Sequence, residues 1–168
     1  MSEARRILVD IASQTLMALA GDRVLASYAV STGRNGAGEW NGSGCTPRGS
    51  HRIRLRIGAG CPEGTVFRGR RPTGEIYDAA LGAACPDRDW ILTRILWLTG
   101  CEPGRNRGGD VDTLRRFIYI HGCPDGEPMG EPRSHGCIRM RNRDLMELFD
   151  LVTVGTPVEI RTEAPDLD

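Results

Sequence analysis

Hydrophobic and polar positions along this chain alternate mostly with the short period of β-structure. Arg6–Asp10 and Thr15–Ala20 are short β-prone runs, and Gly21-Asp22 reads as a turn into Val24–Ser31, so the chain opens as a β-meander. His51–Ile57 alternates, with Ile53, Leu55 and Ile57 on one face. Trp90–Leu98 is an apolar-rich run suited to a buried strand, and Phe117–His121 predicts another. The period changes once. Leu145, Leu148, Phe149 and Val152 recur at i, i+3, i+4 and i+7, which predicts a helix over Arg143–Val152 with Asn142 as its cap. Gly155-Thr156-Pro157 then turns the chain into a last strand, Val158–Arg161, and Pro165–Asp168 reads as a frayed tail. Between these elements, Ser31–Gly49 is a Gly-rich loop and Gly100–Asp112 a long polar one, while Gly58–Arg88 gives no strong periodicity.

The pattern predicts one β-rich α+β domain over residues 1–168, with its core at about residues 6–161 and one main helix near the C-terminus. Its 168 residues, 39% hydrophobic, are enough for one core. Lys plus Arg and Asp plus Glu are both 22, so the chain lacks the broad charge of a nucleic-acid or membrane-surface binder. No apolar stretch approaches the ~20 residues of a membrane span. Asp10, Ser13 and Gln14 interrupt any secretory apolar run near the start, so the expected location is the cytoplasm, or the periplasm if the sequence is a trimmed form. The six cysteines form no C-x-x-C pair and are expected as free thiols in a reducing compartment.

Chemistry concentrates in Ile118–Cys137, IYIHGCPDGEPMGEPRSHGC. Cysteine attacks carbonyls as the thiolate, and a neighbouring imidazole is the usual means of forming one near neutral pH. Both His121 and His135 are candidates for that base. His135 would share a face with Cys137 if the segment is extended, whereas His121 would point across from another strand. The backbone N–H groups of Gly136 and Cys137 are candidate oxyanion donors. His51, in an alternating strand, reads as structural, and Cys61, Cys85 and Cys101 as inert small hydrophobes. His121-Gly-Cys123 and His135-Gly-Cys137 also offer two Cys and two His, a legitimate zinc set in kind, but H-x-C makes an awkward chelate and the spacing fits no finger; no metal or cofactor is expected. Arg105, Arg107, Arg115 and Arg116 read as a solvated loop or as a recognition site for carboxylates.

The IHG and SHGCIRM segments, the helix N-x-D-L-x-x-L-x-x-x-V and the closing V-G-T-P-V-x-I closely resemble the L,D-transpeptidase catalytic domain, YkuD, with STG and TPRG fitting its N-terminal half. The likeness runs from about Arg6 to Ile160. It implies a β-sandwich or barrel and cysteine acyl transfer on peptidoglycan stem peptides or muropeptides, with carbapenems as covalent inhibitors. Cys137 falls on the family nucleophile and His121 on its acid/base, oriented by the Gly122 carbonyl. His135 and Ser134 fall on positions lining the site, Gly136 on the small residue beside the nucleophile, and Arg139 on a position often basic. Cys123 departs from the Thr often found after His-Gly, and a disulfide between Cys123 and Cys137 is one expectation for it. The acceptor separates L,D-carboxypeptidation from 3→3 cross-linking and D-amino-acid exchange, and a cytoplasmic setting favours the first. A zinc-stabilised structural module or a peptidoglycan-binding module is the reading from another class.

Overall fold

The computed structural model describes residues 4–162, so the expected tail at 165–168 lies outside the described residues. The chain opens with β1 (Arg5–Asp10), β2 (Thr15–Ala20) and β3 (Arg23–Ser31), followed by β4 (Gly49–Ile57). A hairpin of β5 (Thr65–Arg68) and β6 (Arg71–Ile76) and the short α1 (Ala79–Ala84) precede β7 (Ile91–Gly100). Then come β8 (Tyr119–Gly122), β9 (Ile138–Met140), α2 (Asn142–Leu151) and β10 (Pro157–Arg161).

All ten strands belong to one sheet in the order β4-β10-β1-β2-β3-β9-β8-β7-β5-β6. The first residues of β7 pair with β5 and its later residues with β4, and this second pairing closes the sheet into a barrel. Closure leaves only the β5–β6 hairpin as an open extension. One buried cluster joins Ile7, Leu16, Val30, Ile53, Leu96, Ile120, Ile138 and Val158 from eight strands. Leu145, Leu148 and Phe149 of α2 complete it, each contributing roughly 1.5–3 kcal/mol through burial.

The backbone fills one stretch without a period and corrects two expectations. The stretch 58–88 is structured, because β6 is an exposed edge strand carrying Pro72 and Gly74 and α1 buries no residue, so neither shows a period. Phe117 is not in a strand: its φ is +56° and β8 starts at Tyr119. Asn142 is the first residue of α2, preceded by Arg141 at the cap position, where no side chain caps the helix. Its amide is drawn elsewhere, donating to the Cys123 carbonyl at 3.0 Å and accepting from Thr93 Oγ1 at 2.6 Å.

Candidate active site

β8 and β9 are parallel neighbours with Ile120 opposite Ile138 and His121 opposite Arg139. Strand alternation then divides the pair. Ile120, Ile138 and Met140 enter the core, while Tyr119, His121 and Arg139 lie on the other face, where Cys137 continues the line of Arg139. The half-buried Cys137 thiol packs with Phe67, Ile95 and Tyr119. Its Sγ lies 3.3 Å from the Tyr119 N–H, which donates to it, and 3.3 Å from the Phe117 carbonyl, to which it donates.

Burial pushes the Cys137 thiol up to about 12; the Tyr119 N–H, Arg139 and Arg116 oppose that rise and Asp89 reinforces it. Burial likewise pulls the His121 imidazole down, against the Gly122 carbonyl and Asp89. Burial thus favours the neutral form of both groups. Nδ1 of His121 lies 2.6 Å from the Gly122 carbonyl, which only accepts, so Nδ1 carries the proton and Nε2 offers its lone pair. Gly122 is confined: a Cβ there would stand 2.2 Å from Asn142 Oδ1 and 2.6 Å from the Leu92 carbonyl. The buried Thr93–Asn142–Cys123 chain of hydrogen bonds thus packs against the residue that orients the imidazole.

Ser134 to Cys137 is a turn rather than an extended segment. Buried Ser134 Oγ accepts from the Gly136 N–H at 3.1 Å and donates to the Cys137 carbonyl at 2.5 Å. Gly136 has a φ of +123°, and a Cβ there would come within 3.0 Å of the Cys45 carbonyl. The Thr46 hydroxyl donates to the Gly136 carbonyl at 2.8 Å. Since the Gly136 N–H is engaged, the Cys137 N–H is the donor left for an oxyanion; among the described residues it has no partner. The turn carries His135 outward. Its side chain is 70% exposed, with Nδ1 3.8 Å from Asp89.

Two depressions meet at Arg139. One, of about 570 Å³, is lined by Arg34, Arg133 and Arg139 with Glu127, Glu131 and Pro132. The other, of about 170 Å³, is walled by Asp87, Asp89, Trp90, Glu127, His135 and Arg139 among others. Arg139 is held 3.5 Å from Asp89 and 3.9 Å from Glu127.

The two H-x-C pairs do not converge, and among the described residues no three His, Cys, Asp or Glu side chains are grouped to hold a metal ion. Nor do Cys123 and Cys137 approach. Cys123 Sγ donates to the Met140 carbonyl at 3.4 Å, at the far end of β9 from Cys137. Met140 is three strand steps, about 10 Å, from Cys137, and Cys123 follows the Gly122 that pairs with Met140, so the two lie beyond the ~7 Å Cα separation that a disulfide tolerates. The backbone donors from Tyr119 and the contacts from Thr46, Arg116 and Asn142 escape sequence reading, because backbone groups and long-range partners carry no local motif.

Comparison with known proteins agrees with this geometry. Residues 4–160 match the sequence model of the L,D-transpeptidase catalytic domain, YkuD. YqjB of Bacillus subtilis, which carries the L,D-transpeptidase name, is 27% identical over 92% of this chain and 69% of its own length. YkuD of Bacillus licheniformis, likewise named, is 49% identical over 35% of this chain and 36% of its own. The L,D-transpeptidase of Xylanimonas cellulosilytica shares the fold at a TM-score of 0.60 and 20% identity, covering 96% of this chain and 62% of that one. L,D-transpeptidase 3 of Mycobacterium tuberculosis, solved with a faropenem-derived adduct, does so at 0.59 and 18%, covering 95% of this chain and 60% of its own. The chain thus spans about three-fifths of these solved structures. It belongs to the L,D-transpeptidase catalytic-domain family.

Proposed function

We propose that this chain cleaves the L,D peptide bond of peptidoglycan tetrapeptide stems through a thioester on Cys137, with water as the main acceptor, as an L,D-carboxypeptidase. The observation that carries the reading is the shared face of β8 and β9, which bears the Cys137 thiol and the His121 imidazole on neighbouring strands, with the Cys137 N–H unpartnered.

As Sγ attacks the carbonyl of the third, L-configured residue, its proton passes to Nε2 of His121, and the oxyanion faces the Cys137 N–H. Because burial favours the neutral form of both groups, proton transfer accompanies attack rather than preceding it. Collapse of the tetrahedral adduct breaks the C–N bond, and the imidazolium returns its proton to the departing D-alanine amine. A water then gives a proton to His121 and attacks the thioester, and the sulfur leaves and recovers that proton.

Two features support the assignment of groups. The larger groove sets three arginines beside two glutamates, which suits a zwitterionic stem residue such as diaminopimelate. The smaller pocket, of about 170 Å³, has room for one amino acid rather than a second stem, which favours water or a small amine as acceptor. The setting we propose is cytoplasmic, on soluble muropeptides, where six unpaired thiols persist. A related L,D-transpeptidase was solved in complex with imipenem, and the same class of inhibitor should acylate Cys137 here.

Incubation with disaccharide-tetrapeptide tests the reading. Disaccharide-tripeptide and free D-alanine should appear in equal amounts, and imipenem should add one adduct mass at Cys137. Cross-linked dimers as the main product would make the chain a transpeptidase instead. An adduct on another cysteine would remove Cys137 from the mechanism.

A further inference from the structure

Arg116 is a half-buried cation with no carboxylate of its own. Its Nη2 donates to the Cys45 carbonyl at 2.6 Å and to Ser43 Oγ at 3.4 Å, and its Nη1 to the Gly38 carbonyl at 3.3 Å. These neutral acceptors satisfy the N–H groups but leave the charge unbalanced. Glu39, the acid on the same loop, is already taken by both arms of the Arg48 fork at 3.0 and 3.1 Å, with Arg105 at 3.9 Å. Withdrawing a cation from water without a counter-charge is unfavourable, so its place needs another reason.

The surroundings of Arg116 supply one. The next residue, Phe117, sits at a φ of +56° and presents its carbonyl to Cys137 Sγ, and Tyr119 presents its N–H to the same sulfur. On the other side, the Cys45 carbonyl gripped by Arg116 is the atom that a Cβ on Gly136 would strike. We infer that Arg116 is a positioning residue for the nucleophile: its fork seats the Cys45 carbonyl against Gly136, and its unbalanced charge favours the Cys137 thiolate. The inference rests on Cys137 being the nucleophile.

The groups that bear on the sulfur are Tyr119 from β8, Arg139 beyond it in β9, Asp89 from the loop before β7, Cys61 in the apolar cluster, and Arg116, with His121 on the same face of β8. Asp89 opposes a thiolate, while Arg139 and Arg116 favour it. Arg139 is paired with Asp89 and Glu127, whereas Arg116, among the described residues, has no carboxylate within ion-pair distance and feels Glu39 only from further off. Reciprocally, burial pulls the Arg116 guanidinium down, and Cys45, Cys137 and Glu39, in that order, oppose the fall.

The test is the pH profile of Cys137 alkylation by iodoacetamide, read by peptide mass in the wild type, R116K, R116Q and S43D, each with a thermal melt. R116Q should shift the midpoint up, so that alkylation at a given pH below it is a few-fold slower. R116K, which keeps the charge and loses the fork, should stay nearer the wild type. S43D places a carboxylate against Nη2 without removing Arg116, and should raise the midpoint even if R116Q fails to fold. Midpoints that stay put in R116Q or S43D, with only the melts shifted, would reduce Arg116 to a loop clamp and overturn the proposal. A wild type whose Cys137 is not selectively alkylated would sink the nucleophile reading itself, a separate and visible failure.

Discussion

The side of the barrel built from β1, β2 and β10 and the side built from β7, β8 and β9 use strand pairing to different ends. β1 pairs with β2 over six consecutive residues and with β10 over four, without a break in register. β7 breaks register with β4 and with β8, and its third partner, β5, breaks register with β6. In the β8 pairing the break falls at Leu92–Ile95, around Thr93, whose φ of +77° is unusual for a β-branched residue. Buried Thr93, Arg94, His121, Ser134 and Asn142 cluster on this side, where the other is mainly aliphatic. The irregular side carries backbone strain, and with it the Gly122 carbonyl on the His121 imidazole and the Phe117 carbonyl on the Cys137 sulfur.

If that division holds, stability and chemistry should separate under mutation. Cys137→Ser should abolish turnover and the imipenem adduct, with a melting temperature close to the wild type; detectable hydrolysis by the Ser variant would break the contrast at its centre. His121→Ala should lower kcat by about 10²–10⁴, the usual cost of removing a positioned acid/base. A loss as small as that of His135→Ala would mean that the base lies elsewhere. Leu148→Ala, in the aliphatic core under the helix that packs on β7 and β8, should cost about 2–5 kcal/mol by denaturant melt, yet leave kcat of the folded fraction within about twofold.

The smallest effect separates the two buried histidines. His51 accepts or donates within 3.1 Å of the Gly49 carbonyl and Thr113 Oγ1, and burial lowers it to about 4. The fold therefore prefers neutral His51, and the unfolded chain takes up a proton first. Its contribution is complete above about pH 6.5 and is lost as pH falls toward 4, by up to about 3 kcal/mol. The stability of His51→Gln should fall less steeply over that window, with kcat at pH 7 unchanged. Parallel stability curves for the two proteins would show that His51 carries no such linkage.

The same contrast explains what was legible beforehand. β1, β2, β3 and α2 announce themselves because one face of each is buried, and burial writes a period into the sequence. Cys137 and His121 are legible because SHGC and IHG place reactive side chains at short range. β6 has no buried face to write a pattern, and α1 buries no residue. Asn142 looks like a cap because caps and buried amide hubs draw on the same residue type, and only the approach of Thr93 and Cys123 decides between them. Arg116 looks like loop charge because its acceptors lie more than 70 residues away in the chain.

The parallel pairing of β8 and β9 also governs which changes in length the protein can survive. Residues 123–137 join the two strands, and much of that segment is exposed turn, so an added residue near Gly126 moves nothing that reacts. One residue added between Gly136 and Ile138 would advance β9 by a single step. Because strand side chains alternate, Ile138 would then face the substrate and Cys137 or its neighbour would turn into the aliphatic interior. Length can therefore change at the exposed turn near Gly126, while the run from Ser134 to Met140, which sets the register of β9, has no slack for an inserted residue.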